Sequence, residues 1–261
     1  SRMIGDYVYF VVSQPAYIVY DTIILPKIYS GEGMTEISAS GILYSDASDN
    51  YFLYTTVVAL NVQDASEEPT YKTLLLGGTS SMYVSLNNIY ITFQDLYGET
   101  TIYRIRIEGS TINPEAKGTV PGRELNQFSM DEHNNHFRIA TTIPVWVNGT
   151  TQNNLYILNM NLSIVGELEN IAPGEAIDSA RFIENRCYLA TSVVRKDPFF
   201  VIDVKNATAP KILGYLKIPG FTRYLHPYDE NHVIGVGMDE NSSVKISIFD
   251  VSNVSAPVEM D

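Results

Sequence analysis

Imidazole and carboxylate side chains crowd together at Asp131, Glu132, His133 and His136, with Arg138 just beyond. Carboxylates and imidazoles are the donors of a divalent metal site, so these four residues are the metal candidates. His133 and His136 stand three apart across a predicted turn, however, and only helical or specially shaped loops converge ligands at that spacing. A solvated hairpin turn explains the same residues with less, and no metal or other cofactor is expected. His226, Asp229 and His232 form a second group around another predicted hairpin. A Ser-His-Asp triad can be drawn from Ser129, His226 and an aspartate, yet any chain with four histidines offers such combinations. His226 reads more simply as a packed, hydrogen-bonded residue of an inner strand. G-x-S-x-G, H-E-x-x-H and Gly-rich phosphate loops are all missing. The run from Asp239 to Ser243 has carboxylates without the spacing of a calcium loop. No catalytic residue is assigned.

What must position these groups is a chain of 261 residues with 17 Lys+Arg and 30 Asp+Glu, a formal charge of −13. Hydrophobic residues make up 45%, enough to bury a core. The negative field repels phosphate backbones, so no nucleic-acid partner is expected. A single cysteine, Cys187, excludes an intramolecular disulfide and reads as a small apolar strand residue. No run of about 18 apolar residues occurs, so no segment of this chain is expected to span a membrane. The N-terminal SRMIGDYVYFVV lacks the layout of a signal peptide and reads as folded strand, as if the chain were excised from something longer.

The elements are strands. Short runs rich in Val, Ile, Tyr and Phe recur between Asn, Asp, Gly and Pro, and no long stretch keeps helical periodicity. A two-strand unit with a tight polar turn appears five times: RMIGDYVYFVV (2–12), YVSLNNIYITF (83–93), FSMDEHNNHFRIATT (128–142), ARFIENRCYLAT (180–191) and YLHPYDENHVIGVG (224–237). A second two-strand unit follows each one, and three of these close on Pro121-Gly122, Pro173-Gly174 and Pro219-Gly220. The period is about 46 to 52 residues, with four strands in each, which is the mark of a β-propeller blade. A sandwich also has many short strands but not this fixed order. The fold class predicted is therefore all-β: a β-propeller of four-stranded antiparallel blades. About five blades are visible, near 1–80, 81–126, 127–179, 180–223 and 224–261, in a single domain. The first interval is about 30 residues too long, and the surplus lies at 14–50 as an excursion rich in Gly and Pro. ISASGILYS (37–45) is a candidate extra strand within it.

NQFSMDEHNNHFRIATT (126–142), DPFFVIDVKNATAPKILGYLKIPGFTRYLHPYDENHVIGVG (197–237) and KISIFDVSNVSAPVE (245–259) resemble the distinctive stretches of an archaeal family of secreted or surface-anchored β-propeller proteins. That family is distantly related to WD-repeat proteins. The resemblance covers nearly the whole chain and is weaker over 14–80. It implies an extracellular or cell-surface location, and longer parent chains in which these blades are a central part of a larger ring, unless they close by themselves. It carries no catalytic residues to transfer. The Gly-His and Trp-Asp pairs of the WD repeat are missing, since the only tryptophan is Trp146.

In a propeller, ligands favour the face where fourth-to-first and second-to-third strand loops converge. That topology nominates Arg123, Glu124, Glu175, Thr222 and Arg223 beside the Pro-Gly corners, and Lys196, Asp197, Asp239 and Glu240 in the second-to-third loops. The 14–50 excursion is expected to lie over this mouth as a lid. Sequons begin at Asn148, Asn161, Asn206, Asn241 and Asn253, all in predicted loops, and are the glycosylation candidates. The function expected is a non-catalytic extracellular or cell-surface scaffold that binds a protein or glycan partner at the loop-rich face. The alternative is a polysaccharide-active hydrolase or lyase with paired carboxylates at the mouth. A purely structural spacer is a third reading.

Overall fold

The computed structural model describes residues 1–30, 33–44, 52–94, 98–192 and 196–260. Two compact units emerge: residues 1–96 with 101–118, and residues 97–100 with 119–261.

The first unit opens with β1 (Arg2–Ile4) and β2 (Tyr7–Pro15), joined through Gly5, whose φ of 57° suits a tight hairpin turn. Within the excursion lie two small hairpins, β3 (Ile18–Val19) with β4 (Thr22–Ile23) and β5 (Lys27–Ser30) with β6 (Gly33–Glu36), then β7 (Ile42–Tyr44). The blade resumes with β8 (Leu53–Asn61) and β9 (Thr70–Leu76), giving the order β1-β2-β8-β9-β7. β7 runs parallel to β9, on the sheet edge farthest from β1. Ile28, Tyr29 and Ile37 share an apolar pocket of about 290 Å³ with Phe10, Val12 and Tyr54 on the flank of this sheet. Within the first unit, β7 is thus spent on the outer edge of this sheet, and residues 26–29 and 37 on its flank. Ile37 is buried against that flank, whereas Ile18, Tyr20, Tyr29 and Tyr44 of the same excursion stay exposed.

The second sheet is β10 (Thr79–Val84), β11 (Asn88–Gln94), β12 (Glu99–Glu108) and β13 (Thr111–Pro121), in that order. Alternate residues of the two sheets interdigitate: Tyr9, Val57, Ala59, Leu74 and Leu76 meet Ile89, Ile91, Phe93, Tyr103, Ile105 and Ile107. The period of two is what a half-buried pleated strand requires. Each fully buried isoleucine contributes about 1.5–3 kcal/mol of transfer free energy.

Three further four-stranded sheets build the second unit, each in sequence order. They are β14 (Met130–His133), β15 (His136–Ile143), β16 (Gln152–Leu158) and β17 (Ile164–Ile171); β18 (Ala176–Ile183), β19 (Arg186–Ser192), β20 (Lys196–Asp203) and β21 (Lys211–Pro219); and β22 (Phe221–Pro227), β23 (His232–Met238), β24 (Val244–Asp250) and β25 (Val258–Met260). One turn of helix, α1 (Val145–Asn148), interrupts the β15–β16 connection. Leu155 and Ile157 pack on Ala180, Phe182 and Leu189 of the next sheet. Phe199 and Val201 in turn pack on Leu225, Val233 and Phe249 of the last. Gly166 and Gly214, on the fourth strands of consecutive sheets, are where the following sheet comes close: a Cβ there would collide with backbone of Ala207–Thr208 and of Val254–Ser255 respectively. The Pro-Gly corners place Gly122, Gly174 and Gly220 at φ of 86°, 90° and 95°. These five sheets, four-stranded and antiparallel apart from the added β7, make the protein a β-propeller.

Candidate functional site

At the loop-rich end of the second unit, the corner residues turn inward. Glu124 is buried and accepts a hydrogen bond from Thr100 Oγ1 at 3.1 Å; the same hydroxyl lies 2.7 Å from the Gly122 carbonyl. Arg123 stacks over the Trp146 ring at 4.7 Å, and its backbone pairs with Thr142. Glu175 Oε2 accepts from Thr191 Oγ1 at 2.5 Å, while Asn153 Nδ2 donates to the carbonyls of Ile171 and Glu175, both at 3.0 Å. Asp178 accepts from Ser192. Glu124 and Glu175 are therefore tied into the joints between strands.

Further along this end, Arg223 is exposed, with its guanidinium 5.0 Å from the Phe221 ring, and Thr222 is buried with its carbonyl bound by Ser179. Asp239 caps its own turn by accepting from the backbone of Asn241 and Ser243 at 2.8 Å each, and Glu240 is exposed. Lys196 and Asp197 begin β20, opposite Pro219 and Ile218; their side chains lie outside the described residues, as does that of Asn148. Asn161, Asn206, Asn241 and Asn253 are exposed in turns.

The metal candidates are spread along a hairpin. Asn134 and Asn135 occupy the left-handed region at φ of 49° and 57°, and on either side Asp131 pairs with Arg138, Glu132 with Phe137 and His133 with His136. Strand alternation sends Glu132 to the face opposite Asp131 and His133. Asp131 is taken by Arg138, and His136 Nδ1 lies 2.8 Å from the Asn134 carbonyl. Among the described residues, no three His, Cys, Asp or Glu side chains gather as a metal site would need. In the other hairpin, His232 Nδ1 lies 2.8 Å from Asp229 Oδ1. The Asn231 backbone N–H, followed by the His232 side chain, holds the Asp229 carboxyl below its ordinary range. A triad through Ser129 does not form: Ser129 is buried without a hydrogen-bond partner for its hydroxyl, and His226 Nδ1 faces the Tyr224 hydroxyl at 3.0 Å.

A different group gathers on β18, β22 and the turn that leads into β14. Asn126 caps a 3-10 turn at Gln127–Ser129 by accepting from the Phe128 backbone at 2.9 Å, and this turn carries Phe128 over the edge of β18. There the Arg181 guanidinium lies 4.9 Å from the Phe128 ring centre. Tyr224 of β22 meets Phe128 edge-on at 5.3 Å, and His226 follows at 5.9 Å from Tyr224. Arg181, Phe128 and Tyr224 are half-buried and His226 is exposed. Three rings and one guanidinium thus share one inner edge, with Arg223 on the same strand as Tyr224. Sequence reasoning missed Phe128, Arg181 and Tyr224. The available signal was the aromatic residue standing at the head of two repeated units, in FSMDEH and YLHPYDEN.

At the hairpin end of the last two sheets, a cleft of about 590 Å³ is lined by Glu184, Arg186, Tyr188, Tyr228, Asp229 and Asn231, among others. It lies at the hairpin-turn end, opposite the end expected to bind.

Comparison with known proteins agrees with the fold. The Beta propeller domain family matches residues 1–261, and the chain belongs to that family. It is 42% identical over 163 residues to an uncharacterized protein, MJ1554, of Methanocaldococcus jannaschii, covering 62% of this chain and 26% of that one. An uncharacterized protein of Archaeoglobus fulgidus is 43% identical over 160 residues, covering 60% of this chain and 25% of that one. The matched segment thus spans about a quarter of each archaeal relative. Among solved structures, a protein from Lactobacillus plantarum aligns over 84% of this chain and 64% of its own, with a TM-score of 0.53 at 14% identity. That likeness is one of fold.

Proposed function

We propose that this propeller is a non-catalytic binding scaffold displayed at the cell surface, and that its inner edge takes a glycan bearing carboxylate groups. The observation that carries the reading is the cluster of Phe128, on the turn before β14, with Arg181 of β18 and Tyr224 and His226 of β22. Aromatic faces receive the apolar faces of sugar rings, and a guanidinium fixed by stacking presents a planar fork of donors matched to a carboxylate. In a chain of net charge −13, Arg181 and Arg223 stand on the first strands of consecutive sheets, each with its guanidinium over a phenylalanine ring. Against the hydrolase or lyase alternative, Glu124, Glu175 and Asp178 at the loop-rich end are each engaged by a Thr or Ser hydroxyl, whereas glycosidic cleavage uses two opposed carboxyl groups.

Isothermal titration with oligoglucuronate and with a neutral glucan of equal length tests the reading. Binding of the uronate alone is expected, weakening about tenfold or more in Arg181→Gln and falling with added salt. Equal affinity for both sugars, or unchanged uronate binding in R181Q, overturns it. Surface display is tested separately by fractionating native cells and by mass spectrometry at Asn161, Asn206, Asn241 and Asn253. A protein confined to the cytosolic fraction, with these asparagines bare, would contradict the location.

A further inference from the structure

Within the second unit, no other described sheet packs on one apolar face of the last sheet. On β24, Val244, Ile246 and Ile248 are 75%, 70% and 36% exposed, and Met260, directly opposite Ile248 on β25, is 45% exposed. Ile234 and Val236 of β23 stand opposite Ile248 and Ile246, and so extend the same face. A surface of this kind is rare on a protein in water unless something covers it.

Internal repetition identifies the missing cover. FVIDVKNATAP (200–210) and SIFDVSNVSAP (247–257) align without a gap, with Asp203 on Asp250, Asn206 on Asn253 and Pro210 on Pro257. The alignment is structural as well: Asp203, Asp250 and Asn159 each accept a backbone N–H two residues on, at 2.9, 2.8 and 2.9 Å. Ile246 and Ile248 are therefore the counterparts of Phe199 and Val201, and of Leu155 and Ile157 one sheet earlier. Phe199 and Val201 are fully buried under the last sheet, and Leu155 and Ile157 are buried under the sheet before it. The positions that seal one blade to the next are thus filled with the same apolar chemistry in all three sheets, and in the third they are bare. In the archaeal relatives the matched segment is only about a quarter of the polypeptide, so chains of this kind carry ample further sequence.

We infer that the face bearing Ile234, Val236, Ile246 and Ile248 is a blade-docking surface, covered in the full-length polypeptide by a further β-sheet of the same chain. The contact follows the pattern already present twice in this unit: apolar residues at every second position of the second and third strands meet alternating apolar residues of the incoming sheet.

Thiol labelling tests this. Ile246→Cys is placed in the 261-residue chain and in the full gene product, and maleimide modification is read by mass spectrometry at the peptide containing position 246. Cys187 serves as the buried control. The inference expects rapid modification in the 261-residue chain and at least hundredfold slower modification in the full product, released by denaturant. Equal rates in the two overturn it. Sedimentation of the 261-residue chain as a dimer that Ile246→Glu splits, with no added protection in the full product, also overturns it, since the face would then be a self-interface. As a second readout, Ile246→Glu is expected to lower the melting temperature of the full product by several degrees while leaving that of the 261-residue chain nearly unchanged; the reverse order counts against the inference.

Discussion

Arg138 and Asp131 face each other across the β14–β15 ladder, with the Arg138 Nε 2.9 Å from Asp131 Oδ2. Arg138 also reaches out of its own sheet, donating through Nη1 to the Glu184 carbonyl at 2.5 Å and lying 5.1 Å from the Phe182 ring centre. One guanidinium thus joins a carboxylate of its own sheet to the hairpin turn of the next. Glu184 sits in the left-handed region at φ of 48°, and its carbonyl is held there by that bond.

Arg138 is buried, its side chain 3% exposed, and Asp131 is half-buried at 21%. Removing one member of such a pair leaves the other without compensation, a cost of about 3–5 kcal/mol. Arg138→Met is therefore expected to lower the melting temperature by roughly 6–12 °C. The double variant R138M/D131L removes both charges and should recover part of the loss. Thermal melts of the two variants decide this; equal stability of R138M and the parent would show that the bridge contributes nothing.

At Gly166 and Gly214 the next sheet's backbone comes too close to leave room for a Cβ. A methyl group at either would meet backbone of the next sheet's turn, which cannot swing aside as a flexible side chain would. Gly166→Ala and Gly214→Ala are expected to cost about 1–3 kcal/mol each by overpacking. Gly41→Ala, where a Cβ meets nothing within 4 Å, should be neutral. Urea unfolding of the three variants compares them directly, and indifference at both Gly166 and Gly214 would show that the sheets can slide apart.

Much of this architecture was legible because it is written locally. Turn residues such as Gly5 and Asn134-Asn135 announce hairpins by their tolerance of positive φ, and the Pro-Gly corners mark each new sheet. The inner-edge cluster was not legible, since Phe128, Arg181 and Tyr224 come from three different repeats and meet only through the stacking of sheets. Register shifts between Ile177 and Ser179 and between Thr222 and Tyr224 add a second obstacle. Each shift changes which later residues face the neighbouring sheet, and alternation in the sequence does not reveal it. The corner residues Glu124 and Glu175 misled for a related reason: their charge suggests solvent, while Thr100 and Thr191, far off in sequence, draw them into the joints.

In the first unit, the Tyr7 hydroxyl donates to Glu67 at 2.7 Å, and Asn61 Nδ2 donates to the same carboxylate at 2.7 Å. The Asn61 bond, followed by the Tyr7 bond, holds the Glu67 carboxyl below its ordinary 4.5. The bond to Glu67 raises Tyr7 above its ordinary 10.0. For Glu67 the stabilisation is present above pH 4.5 and is lost as pH falls through the lowered folded value. For Tyr7 it is present below pH 10.0 and is lost as pH rises through the raised folded value. The contact therefore supports the fold on a plateau between these limits. The difference in melting temperature between parent and Tyr7→Phe should be constant from pH 5 to pH 9 and shrink on either side. A difference that changes steadily across the plateau would place its origin elsewhere.

Cys187 is fully buried in the core between the first two sheets of the second unit, among Leu155, Ile157 and Leu189. Burial pushes its thiol well above the ordinary value, so the reactive thiolate is scarce as well as inaccessible. The native protein is expected to resist a maleimide or disulfide reagent at pH 8, and to give one thiol per chain in denaturant. Because the reagent reaches Cys187 only when these two sheets part, the slow native rate reports that opening. Arg138→Met removes the guanidinium that ties the first of these sheets to the Glu184 turn of the second, so it should accelerate labelling at Cys187 at least as strongly as it lowers global stability. Acceleration by Gly166→Ala, at the far edge of the same pair of sheets, with no effect of R138M would instead place the hinge of that opening on the outer strands. Complete modification of the parent protein within minutes would show that the core is not closed around Cys187.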